Sequence, residues 1–149
     1  MGGKRHRRCG RRVVVPGVTS ALAAPAYAGI PLTHRKYASS LAIVTGHEDP
    51  KKPGSRVDWE RLAESVDTIV VLMGVKTLKK IVDGLMRGGR DPGTAIAIIE
   101  RGTTADQRVT AGTLRDILQK AEERGVKPPA VIVIGDIVRL REEVSWFRK

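Results

Sequence analysis

One cysteine, five aromatic residues and no acidic residue before Glu48 are the conspicuous shortages of this 149-residue chain. The lone Cys9 excludes an internal disulfide and fits a reducing compartment. Tyr27, Tyr37, Trp59, Trp146 and Phe147 are too few for a base-stacking nucleic-acid platform, and the core has to be aliphatic. No apolar run approaches the roughly 20 residues of a membrane-spanning helix. With three histidines (His6, His34, His47), a metal site would need carboxylates, and His47-Glu48-Asp49 reads as a loop cluster rather than a ligand set. No GxGxxG follows a strand, and the phosphate-loop pattern GxxxxGK[ST] is missing, although Gly74-Val-Lys-Thr77 echoes its end. A nucleophilic triad has no G-x-S-x-G elbow on which to stand.

What is present suits one globular domain, large enough to bury a core, with 41% apolar residues. The net charge of +11 divides unevenly. Residues 1–47 hold eight basic side chains, six of them in the first twelve positions, whereas 48–149 are close to balanced. The expectation is a basic leader over 1–12 attached to a mildly basic body. Such a block is a solvated tail or a polyanion-binding arm. The basic run, Val13-Val14-Val15 and Ala24-Pro25-Ala26 imitate an export signal, but Pro16-Gly17 breaks the apolar stretch after three residues. The cytoplasm is the expected location.

Local signals mark the elements. Residues 13–15 read as a strand end stopped by Pro16-Gly17, and Thr19 or Ser20 caps a helix over 21–28 closed by Gly29. A short strand is expected over 40–44, then an exposed loop over 48–56, then a helix over 59–65 with Asp58 as its N-cap. The apolar runs 68–73, 95–99 and 131–134 read as strands buried on both faces, with a further strand over 107–111. Leu78, Ile81, Val82, Leu85 and Met86 draw one helical stripe that ends at Gly88-Gly89. Thr113-Leu-Arg-Asp116 has the capping-box pattern, ahead of a helix that Gly125 stops. Strands alternating with helices predict an α/β fold with a mostly parallel sheet flanked by helices.

In such a fold ligands sit beyond the carboxyl ends of strands. The loops containing Thr19-Ser20, Met73-Gly74, Arg101-Gly-Thr103 and Gly135 are candidates, although each glycine alone could merely end a strand.

The strings Val15-Pro-Gly-Val-Thr-Ser-Ala21, Gly29-Ile-Pro-Leu-Thr-His-Arg35, Val44-Thr-Gly-His47, Val57-Asp-Trp59 and Val71-Leu-Met-Gly74 are specific. So are Ile99-Glu-Arg-Gly-Thr103, Gln107-Arg-Val109, Pro129-Ala-Val-Ile-Val-Ile-Gly135 and Val138-Arg-Leu-Arg141. In order and spacing, residues 13–149 resemble the carboxyl-terminal half of uroporphyrinogen-III C-methyltransferases, of the class III (tetrapyrrole methylase) family. The resemblance implies transfer of methyl groups from S-adenosylmethionine to uroporphyrinogen III, giving precorrin-2 for siroheme or cobalamin. It implies that Thr19, Ser20, Met73 and Gly102 contact the cofactor, and that Arg35 and Met73 serve the tetrapyrrole. Arg35 suits carboxylates because a guanidinium offers two parallel hydrogen bonds and stays charged, although a surface salt bridge would use it equally. No metal is implied.

The family's Gly-Pro-Gly-Asp and Gly-Gly-Asp-Pro loops and its acid/base residues belong to an amino-terminal half with no counterpart here, so no catalytic residue is assigned. The expectation is a truncated or split enzyme that pairs with a separate amino-terminal half or forms a homodimer. A non-catalytic dimerisation or tetrapyrrole-binding module is the alternative. Neither a membrane nor a nucleic acid is the expected partner.

Overall fold

Helices and strands form where capping residues and apolar periodicity place them. The computed structural model describes residues 13–48, 51, 54–144 and 146–147, so the expected leader over 1–12 lies outside the described residues. Helix α1 (Ser20–Tyr27) starts at Thr19, whose extended backbone lets its Oγ1 accept the Ala21 N–H at 3.3 Å. Gly29, at φ 73°, ends it in the left-handed region that glycine tolerates. Asp58 caps α2 (Trp59–Ser65) by accepting from Arg61 N at 3.1 Å. Helix α3 (Leu78–Arg87) buries Leu78, Ile81, Val82 and Leu85 on one face and runs out at Gly88-Gly89.

The capping box at 113–116 is half built. Asp116 Oδ1 accepts from Thr113 N at 2.7 Å, but Thr113 is the last residue of a strand, and α4 (Ile117–Glu123) starts only after Asp116. A second expectation also fails: residues 13–15 form no strand. Val13, Val14 and Val15 are 80%, 89% and 84% exposed, with no neighbouring ladder among the described residues to pair their backbone.

Strands β1 (Leu41–Thr45), β2 (Thr68–Leu72), β3 (Ala95–Glu100), β4 (Arg108–Thr113) and β5 (Ala130–Ile134) make one sheet in the order β1-β2-β5-β3-β4. It is an α/β sheet flanked by helices, as expected, but it is not mostly parallel. Only β1 and β2 pair in parallel; β2–β5, β5–β3 and β3–β4 are antiparallel. Every helical crossover does join strands of one direction: β1 to β2 through α2, β2 to β3 through α3, β4 to β5 through α4. The loop between β3 and β4 is too short for a crossover and reverses the chain as a hairpin. Strand β5 then inserts between β2 and β3, both of which run against it.

The two sheet faces differ in side-chain size. Ile69, Val71, Ile96, Ile98, Ile132 and Ile134 point towards α2, α3 and α4. Val70, Ala95, Ala97, Ile99, Val131 and Val133 face α1, which answers with Ala21 and Ala24. Bulky isoleucines fill the deeper layer, whereas small residues let the α1 backbone lie close to the sheet. Further cover on the α1 face comes from Ile137, Val138 and Leu140 in the 3₁₀ turn Asp136–Leu140, which leads into the short α5 (Arg141–Val144). Among the described residues no helix is long and apolar enough to cross a membrane.

Candidate functional site

The strand directions bring the carboxyl ends of β1, β2 and β3 to one edge of the sheet, beside the amino ends of β4 and β5. A cleft of about 960 Å³ opens there. Its size is at the upper end of small-molecule sites, roughly 300–1,000 Å³. Apolar walls come from Ala24 of α1, Leu72 and Val75 around the end of β2, Ile99 of β3, and the segment Pro128-Pro129-Ala-Val131 entering β5. Polar groups are few: Ser20, His47, Lys76, Thr104, and the pair Arg101 and Asp106, 3.8 Å apart.

The backbone at this edge is bent into a sparsely populated conformation. Met73, Arg101 and Thr103 have φ of 55°, 47° and 72°, the described non-glycine residues with positive φ. Each such residue costs on the order of 1–3 kcal/mol, so the surrounding packing must enforce them. Met73 is exposed at the rim. Among the described residues, neither the Met73 nor the Gly102 amide N–H has a hydrogen-bond acceptor.

Three interactions hold the loops in place. Thr77 Oγ1 donates to Gly46 O at 2.7 Å, tying the turn after β1 to the turn after β2. The Glu100 carboxylate, 5% exposed, accepts from Arg108 Nη2 at 2.8 and 2.9 Å and from Lys127 N at 3.0 Å. It thereby joins β3, β4 and the approach to β5, and its hydrogen bond pushes the Arg108 pKa further up. Gly102 lies so near α1 that a Cβ on it would sit 2.4 Å from the Ala24 Cβ.

Comparison with known proteins places this geometry. The sequence model of the tetrapyrrole (corrin/porphyrin) methylases matches residues 5–118. The chain belongs to that family. The S-adenosyl-L-methionine-dependent uroporphyrinogen III methyltransferase of Methanosarcina barkeri is 58% identical over 129 residues, covering 87% of this chain and 51% of that protein. The uroporphyrinogen-III C-methyltransferase of Bacillus subtilis is 47% identical over 142 residues, 95% of this chain and 29% of that protein. Among solved structures, the Thermus thermophilus uroporphyrin-III C-methyltransferase complexed with S-adenosyl homocysteine superposes with a TM-score of 0.71 at 38% identity. That match covers 85% of this chain and 53% of the other. This methylase chain thus spans about half the length, or less, of these relatives.

Of the residues singled out from the methylase sequence, Ser20, Met73 and Gly102 line the cleft together. Thr19 is adjacent but spends its hydroxyl on capping α1 and is outside the lining. Arg35 is an exposed residue in the turn bridged by His34 and Ala38, and the structure does not bring it to the cleft. The Gly135 loop is at the opposite edge, a correction that follows from β5 running downward: its Cβ position is 2.6 Å from Asp67 O, ahead of β2. Sequence reasoning gave no site role to Ala24, Lys76, Thr104 or Asp106. Lys76, Thr104 and Asp106 lie in strand-end loops, which was the available signal; nothing local marks Ala24.

Proposed function

We propose that this chain supplies a cofactor-binding wall of a uroporphyrinogen-III C-methyltransferase, acting with S-adenosylmethionine to convert uroporphyrinogen III to precorrin-2. The observation that carries this reading is the strand-end cleft, where strained loops present two unpaired amide donors beside apolar walls. Those features fit an adenosine group, which has a flat apolar base and several hydrogen-bond acceptors. The cofactor, when bound, supplies an activated methyl group.

This chain's own contribution is to bind and orient. Met73 and Gly102 offer amide N–H donors, Ser20 offers a hydroxyl at the start of α1, and Thr19 fixes that start by capping it. Holding two reactants in line is the main help such a transfer needs. Arg35 is the proposed guanidinium for substrate carboxylates, and Met73 the backbone contact nearest the tetrapyrrole. We place the protein in the cytoplasm, as a homodimer or paired with a separate amino-terminal half.

The deciding experiment is calorimetric titration of the chain with S-adenosylhomocysteine, alone and after adding the amino-terminal domain of a relative. Saturable binding in either arm supports the assignment, and Gly102→Ala should weaken it. A folded chain that binds in neither arm overturns it. Porphyrin binding that ignores S-adenosylhomocysteine would instead identify a tetrapyrrole-binding module.

A further inference from the structure

We propose that Gln107 is a positioning residue that sets the width of the cleft by clamping the loop 101–104 to the end of α1. The proposal rests on reading the cleft as the cofactor site. Gln107 is only 9% exposed and is outside the cleft lining, so it acts through the groups it holds. Its Oε1 accepts from Thr103 N at 2.8 Å, and its Nε2 donates to Tyr27 O at 3.2 Å. Its own amide N donates to Thr104 O at 3.1 Å, which anchors the residue to the same loop.

Both ends of the clamp matter to the cleft. Tyr27 is the last residue of α1, and its carbonyl is one of the groups that a helix leaves without an internal partner. Thr103 has φ 72°, a conformation that needs an external tie. Between these two anchors, Gly102 meets Ala24, and both line the cleft. Few side chains can satisfy an N–H and a C=O at once; a primary amide can, and an ionised carboxylate cannot.

Gln107→Glu separates the two ends. It keeps the acceptor for Thr103 N–H, but once ionised it has no proton to give Tyr27 O. The variant and the parent chain are titrated with S-adenosylhomocysteine from about pH 4 to about pH 8, spanning the ordinary glutamate range. His47, Lys76, Arg101 and Asp106 face the cleft in both proteins, so the ratio of the two affinities isolates residue 107. The expected ratio is about tenfold against the variant at the alkaline end, the scale of one lost buried hydrogen bond, and close to unity at the acid end.

Two NMR readings need no ligand: hydrogen exchange at the Thr103 amide, and the nuclear Overhauser effect between the Ala24 methyl and Gly102. The Glu variant should keep Thr103 protected while losing the Ala24–Gly102 contact as pH rises; Gln107→Met should lose both. A pH-independent affinity ratio, or an Ala24–Gly102 contact unchanged in Gln107→Met, overturns the clamp. If the parent chain binds no S-adenosylhomocysteine either alone or with the amino-terminal domain of a relative added, the cofactor reading fails, and the ligand-free readings decide the clamp by themselves.

Discussion

Gly46 and Gly74 meet back to back where β1 and β2 end: a Cβ on Gly46 would lie 2.5 Å from the Gly74 Cα and 3.1 Å from its nitrogen. The obstacle is backbone, which no rotamer change relieves. Gly46→Ala should therefore push the two turns apart, strain the Thr77 Oγ1 hydrogen bond and displace Met73 at the rim. A loss of about 1–3 kcal/mol is expected from overpacking of this kind. Urea denaturation checks it, and an unchanged midpoint would show that the turns are not in contact.

Gly102→Ala makes the equivalent test on the other wall. The new methyl falls 2.4 Å from the Ala24 Cβ and 3.0 Å from its Cα, so α1 or the loop must move. Stability should drop by about 1–3 kcal/mol, with a larger effect on S-adenosylhomocysteine binding than on folding. The companion change Ala24→Gly in the same chain should restore part of the binding. If the pair behaves additively, the contact is not what limits the site.

Asp67 should contribute to acid sensitivity. Its Oδ2 accepts from Ser39 N at 2.8 Å, Ser40 N at 3.0 Å and Ser40 Oγ at 2.9 Å, which holds its pKa below the usual carboxylate value. Because the folded pKa is depressed, the stabilisation is fully present above the unfolded value of about 3.9. It disappears as pH falls through the folded pKa. Asp67→Asn should be less stable than the parent at neutral pH and converge with it at the acid end. Denaturation midpoints that stay parallel across the range would rule this out.

Trp146 closes the far end of α1. Its Nε1 donates to Ala26 O at 2.9 Å, and its ring lies 5.0 Å from that of Tyr27. Trp146→Phe removes the donor and keeps most of the ring contact, at an expected cost of about 0.5–1.5 kcal/mol. Trp146→Ala should cost more, since an aromatic pair adds roughly another 0.5–1.5 kcal/mol. Equal losses for the two variants would mean that the hydrogen bond alone matters.

Local chemistry made most of the elements legible. Thr19 and Asp58 cap helices through contacts two or three residues away, and Gly29 and Gly125 end them through their own backbone freedom. The heptad-like stripe of α3 and the apolar runs of β2, β3 and β5 needed no distant information either. The loops holding Met73 and Gly102 could be picked out as strand ends, whereas contact of Ser20, Met73 and Gly102 with a cofactor was implied only by the family resemblance.

The amino-acid sequence by itself determined the order of the main helices and strands, the caps at Thr19 and Asp58, and the family to which the loops belong. Only the tertiary structure decided that β5 threads between β2 and β3, which made the sheet mostly antiparallel and moved Gly135 away from the cleft. A fully apolar strand looks the same whichever way its neighbours run, since burial on both faces says nothing about direction. The pairing of Gln107 with Tyr27 across 80 residues, and of Gly102 with Ala24, was likewise invisible beforehand. Such contacts depend on how separate elements pack, and no periodicity along the chain encodes them.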